Sequence, residues 1–212
     1  MGLKVTDLSV QIGSLKLANP VVAASGCFGY GVEYSDVIDL SLLGGVAVKG
    51  LFLAERQGHS PERIVETPAG MLNAIGLQGI GVHRFIKEQL PELRRHRAVV
   101  IVNICGSTLD EYVELARILS DVEGVAALEL NISCPNIKEG GITFGSSLDG
   151  TYDVVSSVKK VTRFAVPTYT LYVRLLGIGL QQESPISYKA LGRIETLEHH
   201  SKGRPHTNNL TH

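Results

Sequence analysis

Short β-branched runs that end in polar or glycine-rich turns, each followed by a stretch with helical spacing, recur along this 212-residue chain. That alternation builds a parallel sheet covered by helices, so the expected class is α/β. The spacing predicts strands at Pro20–Ala24, Val46–Lys49, Ala98–Ile104 and Ala126–Leu130. Helices are expected around Tyr34–Leu40, at Val82–Leu93, where Val82, Phe85, Ile86 and Leu90 share one face, and from about Tyr152 to Val161. A further helix, Leu109–Leu119, follows a Ser107/Thr108 cap and lines up Leu109, Val113, Ala116 and Leu119. The connection from Leu51 to Gly81 has little periodicity, and loops of that length are usually functional or disordered. From Ala165 the alternation stops, and four of the seven histidines fall within the last fourteen residues. The chain thus divides into an α/β part over 1–164 and an atypical tail over 165–212.

Composition narrows the partners. With 44% hydrophobic and 19% charged residues the chain is globular in type, and 20 basic against 21 acidic residues leave a formal charge of −1. Neither nucleic acid nor an anionic membrane is invited by that balance, which points to a small molecule or a protein as partner. No apolar run approaches the roughly 18 residues of a spanning helix, and the start MGLKVTDLSVQ lacks the apolar core of a signal peptide, so a cytoplasmic location is expected. Cys27, Cys105 and Cys134 are too few and too scattered for a disulfide framework, and without a CxxC pair or HExxH no metal site is expected.

Parallel α/β folds place reactive groups at the carboxyl ends of strands, and here the strands end on Ser25-Gly26, Lys49-Gly50, Asn103 and Asn131. A lysine at the end of an apolar strand asks for an anionic or electron-rich neighbour, while asparagine offers donors and an acceptor to a flat heterocycle without charge. Together they suit a polar planar ring. Taken singly, Lys49 also fits a side chain that reaches out to solvent, and the two asparagines fit residues that satisfy a turn. In Asn131-Ile132-Ser133-Cys134-Pro135-Asn136 a thiol stands among hydrogen-bonding groups, which suits either a reactive cysteine or an inert one in a proline turn. Cys27 and Cys105, flanked by small or apolar residues, read as inert. The glycines of Glu66–Leu77 let backbone approach a ligand closely. Neither a GxxxxGK[ST] loop nor a GxGxxG fingerprint is present, since GLQGIG has the wrong spacing, so nicotinamide binding by this chain is unsupported. His59, His83 and His96 stand apart from one another and read as surface or loop residues.

The segments ASGCFGYGVEY, AVKG, ETPAGMLNAIGLQ, VNICGST and ELNISCPN, in this order between about Leu3 and Phe164, resemble dihydroorotate dehydrogenase, in its class 1B, NAD-linked branch. The resemblance implies a (β/α)8 barrel that holds FMN at its carboxyl face and oxidises dihydroorotate to orotate in pyrimidine synthesis. Carried over by position, Ser25, Lys49, Gly50, Asn103 and Asn131 contact the flavin. Lys49, Asn73, Ala74, Ile75, Gly76, Leu77, Asn131 and Asn136 surround the orotate ring. Cys134 falls on the catalytic base, which takes the C5 proton while hydride leaves C6 for flavin N5. The same resemblance implies an electron-transfer subunit that carries FAD and an iron-sulfur cluster and passes electrons to NAD, and a homo-oligomer for the full-length protein.

The departure from the family pattern is at the end of the chain. Where the family places a flavin-contacting lysine this sequence has Tyr169, and by residue 164 only about four of eight βα units have passed. The expectation is therefore an amino-terminal half followed by a truncated or frame-shifted tail. Two other readings stand beside it: a non-catalytic remnant, and a flavoenzyme similar to dihydropyrimidine dehydrogenase.

Overall fold

The computed structural model of the chain describes residues 6–132, 144–146, 148–164 and 166. Cys134, Asn136, Tyr169 and the 165–212 segment, Val166 excepted, lie outside them. The central element is a four-stranded sheet in the order β3 (Val22–Ala23), β4 (Gly45–Ala47), β7 (Val100–Ile104), β8 (Val125–Leu130), with every neighbouring pair parallel. Consecutive parallel strands laid side by side are how a (β/α)8 barrel begins. Two antiparallel hairpins stand outside this sheet: β1 (Val10–Ile12) with β2 (Leu15–Leu17) precedes it, and β5 (Ile64–Thr67) with β6 (Gly70–Asn73) lies between β4 and β7 in sequence.

Helices cover one face of the sheet. Three segments run on without a break: α1 (Val82–Arg84), a π-helical turn (Phe85–Gln89) and α2 (Leu90–Arg95). Pro91 has no N–H to donate back along this helix, and the widened turn directly precedes it. α3 (Leu109–Ser120) starts at Thr108, whose side chain accepts from Glu111 N, while the Glu111 carboxylate accepts from Ser107 N. α4 (Leu148–Val161) packs Val154, Val155 and Val158 into the same layer. Against these helices lie Val46, Val48, Val100, Val102, Ile104, Leu128 and Leu130.

Side chains alternate across a strand, so Ala47, Ile101 and Ala127 point the other way. There they meet Leu15 and Leu17 of the first hairpin, which closes that face near the amino ends of the strands. A register shift between Val100 and Ile101 sets Ile101 opposite Ala127 and Asn103 opposite Glu129. Above the apolar plug the same face therefore turns polar towards the carboxyl ends.

Two sequence expectations are corrected. No helix spans Tyr34–Leu40; short 3-10 turns at Val32–Tyr34 and Leu40–Leu42 stand there, with Val37 83% exposed. Asp39 accepts from both the backbone N–H and the hydroxyl of Ser41, a local bond that competes with helical hydrogen bonding. The Leu51–Gly81 connection is not irregular throughout, because it contains the β5–β6 hairpin. Both strands are exposed on both faces, so no burial imposed the apolar alternation that reveals a strand. Among the described residues no helix is long and apolar enough to cross a membrane.

Candidate functional site

Three strand ends and one loop converge on a hydrogen-bonded group at the carboxyl edge of the sheet. Ser25, just past β3, donates its hydroxyl to Glu129 Oε1 at 2.6 Å. Asn103 of β7 donates Nδ2 to the same oxygen and to Ser25 Oγ at 3.2 Å. The other end of that amide faces the opposite way: Asn103 Oδ1 accepts from Asn131 Nδ2 and from the Cys105 thiol, each at 3.4 Å. Tyr112 of α3 donates its hydroxyl to the Asn131 carbonyl at 2.6 Å, which ties the end of β8 to the helix layer.

Gly50, just past β4, packs against this group. A Cβ built there would stand 2.6 Å from Cys105 Sγ and 2.9 Å from Asn103 Oδ1, so only glycine lets the chain pass so close. The main chain fixes it on both sides: Lys49 N donates to Gly29 O at 2.7 Å, Leu51 N to Asn103 O at 2.8 Å, and Cys105 N to Leu51 O at 2.8 Å. Lys49 itself is half-buried. Of the sequence-derived flavin contacts, Ser25, Gly50, Asn103 and Asn131 thus gather in one place, with Lys49 adjacent in the chain.

The other candidates are placed differently. Asn73 ends the exposed strand β6, and the hydrogen bonds of 74–75 run to the loop before β5. Ala74 N donates to Arg63 O at 2.8 Å, His59 N donates to Ile75 O at 3.1 Å, and His59 Nδ1 lies 3.1 Å from Ala74 O. Arg63 ties the same loop together through Gln57 O at 3.0 Å and Gln78 Oε1 at 2.6 Å, besides His59 O. Gly76 (φ 76°) sits against His59, where a Cβ would fall 2.6 Å from the His59 nitrogen. The segment rejoins the sheet at Gly79, whose Cβ position lies 3.6 Å from Gly50 O, and Tyr30 OH accepts from Ile80 N at 3.2 Å. Burial pushes the Tyr30 phenol above its ordinary range, with Glu33 adding to the rise and the Ile80 bond opposing it.

Two residues enter the group that the sequence did not place there. Glu129 is 4% exposed and is the acceptor on which Ser25 and Asn103 converge. Its signal was a charged residue at an inward position of an otherwise apolar strand, two before Asn131. Cys105, expected to lack polar neighbours, is buried against Asn103 because strand alternation puts the two on one face. Cys27 is exposed and free. Among the described residues no three His, Cys, Asp or Glu side chains gather as metal ligands. A surface cavity of about 380 Å³, lined by Ser35–Asp39 and Arg95–Arg97, lies towards the amino ends of β4 and β7 and shares no residue with the polar group.

The arrangement is an uncharged hydrogen-bonding edge, backed by one buried carboxylate and with a lysine adjoining. It fits a planar ring that carries both N–H and C=O groups.

The chain is similar to known proteins over most of its described length. The sequence profile of the dihydroorotate dehydrogenase family matches residues 7–192. The chain is 53% identical over 156 residues to the dihydroorotate dehydrogenase B (NAD(+)) catalytic subunit of Geotalea uraniireducens strain Rf4, covering 74% of this chain and 51% of that one. It is 48% identical over 160 residues to the protein of the same name from Thermoanaerobacter sp. strain X514, covering 76% and 53%. A third, from Phocaeicola vulgatus, is 50% identical over 155 residues, covering 73% and 51%. The chain spans about half the length of the curated relatives it matches.

Proposed function

The chain belongs to the dihydroorotate dehydrogenase family, and we propose on that premise that it supplies the first four strand ends of an FMN-dependent catalytic subunit that oxidises dihydroorotate to orotate in pyrimidine synthesis. The observation that carries this reading is the convergence of Ser25, Gly50, Asn103 and Asn131 at one edge of the parallel sheet. These four, with Lys49, hold the flavin ring. Bound FMN supplies the hydride acceptor.

The remaining steps belong to side chains. Lys49 and Asn131 orient the substrate from the sheet, and Asn73, Ala74, Ile75, Gly76 and Leu77 cover it from the long connection, with Asn136 joining from the loop after β8. Cys134 takes the C5 proton. An ordinary thiol is largely protonated at neutral pH, so the closed site favours the thiolate or removes the proton as substrate excludes water. The relatives are named catalytic subunits of an NAD(+) enzyme. By analogy the full-length protein passes electrons to a partner subunit that carries FAD and an iron-sulfur cluster and reduces NAD, as a cytoplasmic homo-oligomer.

The test is flavin content followed by substrate reduction. The chain extended to the full length of its relatives should show flavin absorbance that bleaches when dihydroorotate is added without oxygen. Cys134→Ala should keep the flavin and slow bleaching by about 10² to 10⁴, the usual loss of a general base. A colourless preparation that FMN does not reconstitute defeats the proposal. Bleaching of the alanine variant within a few-fold of the parent moves the base elsewhere.

A further inference from the structure

The geometry points to Glu129 as a positioning residue that sets the direction of the Asn103 amide and so decides which atom the sheet edge offers to the flavin ring. This inference rests on the flavin reading above and deepens it. An asparagine amide has a donor end and an acceptor end, and turning it over exchanges them. A carboxylate can only accept. With Glu129 buried beneath it, Asn103 must aim Nδ2 down at Oε1, and Ser25 must direct its hydroxyl proton to the same oxygen. Asn103 Oδ1 is thereby turned towards Gly50 and Asn131, where its two bonds are both long at 3.4 Å. A carbonyl oxygen so placed accepts the ring imide N–H of a flavin. The amide turned over would present a second donor to that N–H and repel it.

Glu129 does not itself belong to the edge that meets the ring. It lies on the inward face of β8 directly across from Asn103, and that register brings the carboxylate and the amide side by side. The carboxylate therefore acts through Asn103, and exchanging the two functional groups should preserve what each alone destroys. In the double variant Glu129→Gln with Asn103→Asp, the new amide at 129 donates to the new carboxylate at 103. An acceptor oxygen still faces Gly50, and the formal charge of the pair is unchanged.

The experiment is FMN titration of the full chain by fluorescence quenching, with thermal unfolding of the flavin-free proteins as the measure of fold. Glu129→Gln should weaken FMN binding by about tenfold or more, because the new amide at 129 can donate to Asn103 Oδ1 and hold the Asn103 amide turned over. Asn103→Asp, which sets two carboxylates against each other, should weaken it at least as much. The double variant should return to within about threefold of the parent, although each single variant does not. Failure of a folded double variant to recover, or unchanged affinity in Glu129→Gln, overturns the inference while leaving the flavin reading intact. If neither the single nor the double variant carrying Glu129→Gln folds, Glu129 is a stability group and the inference falls. A parent chain that binds no FMN overturns both.

Discussion

At the scale of single residues, the polar edge is held by contacts that leave no room for addition. Gly50→Ala places a Cβ 2.6 Å from Cys105 Sγ, and neither neighbour can retreat, because Leu51 and Cys105 are joined through their main chains and Asn103 is buried. Overpacking of this kind costs about 1–3 kcal/mol, to be read as a lower urea midpoint with an unchanged slope, and flavin uptake should fall with it. Tyr30 is the residue whose titration matters. Its phenol is raised above the ordinary 10.0 mainly by burial, so the folded state keeps the proton after the unfolded chain has released it. The resulting contribution is complete below about pH 10 and is lost as pH climbs through the higher folded value. Tyr30→Phe should cost about 1–2 kcal/mol at neutral pH, since Ile80 N loses its acceptor. The variant should also lose part of the fall in melting temperature between pH 9 and 11 that the parent shows. Parallel melting curves for parent and variant over that range would contradict the assignment.

Elements show how local signals and their absence act. Ser107 and Thr108 were legible as a helix start from residue type alone, and α3 begins where they place it. Thr108→Ala should lower stability by about 1 kcal/mol, seen as a shifted denaturant midpoint, because Glu111 N loses its cap. The β5–β6 hairpin shows the reverse. Its cross-strand pair Val65 and Leu72 is 52% and 66% exposed, so pairing rather than burial defines the strands. Replacing either with Thr should change stability by no more than about 0.5 kcal/mol. A loss of about 2 kcal/mol in the same denaturation assay would show that the pair is covered in solution. The stretch around Tyr34–Leu40 was read as a helix, which would need an apolar face against a neighbour. The Asp39–Ser41 bonds and the exposure of Val37 show that no neighbour receives such a face.

Over the whole molecule, one sheet separates two tasks. Its outer face packs on helices, and its inner face carries an apolar plug at the amino ends and the polar group at the carboxyl ends. Leu17→Ala, which empties a side chain 1% exposed beneath Ala47, Ile101 and Ala127, should cost about 2–4 kcal/mol in chemical denaturation. The sequence by itself determined the α/β order, the four strands, the capped helix and the polar residues on which strands end, because helix and strand periods and caps are written within a few residues. It also identified the family, since several segments matched in register. Only the tertiary structure decided that Ser25 and Glu129, 104 positions apart, are joined by a hydrogen bond, and that Cys105 belongs with Asn103. Those facts depend on which strands pair and on a one-residue register shift at Val100, and pairing across separated strands is a long-range packing outcome that no local period records.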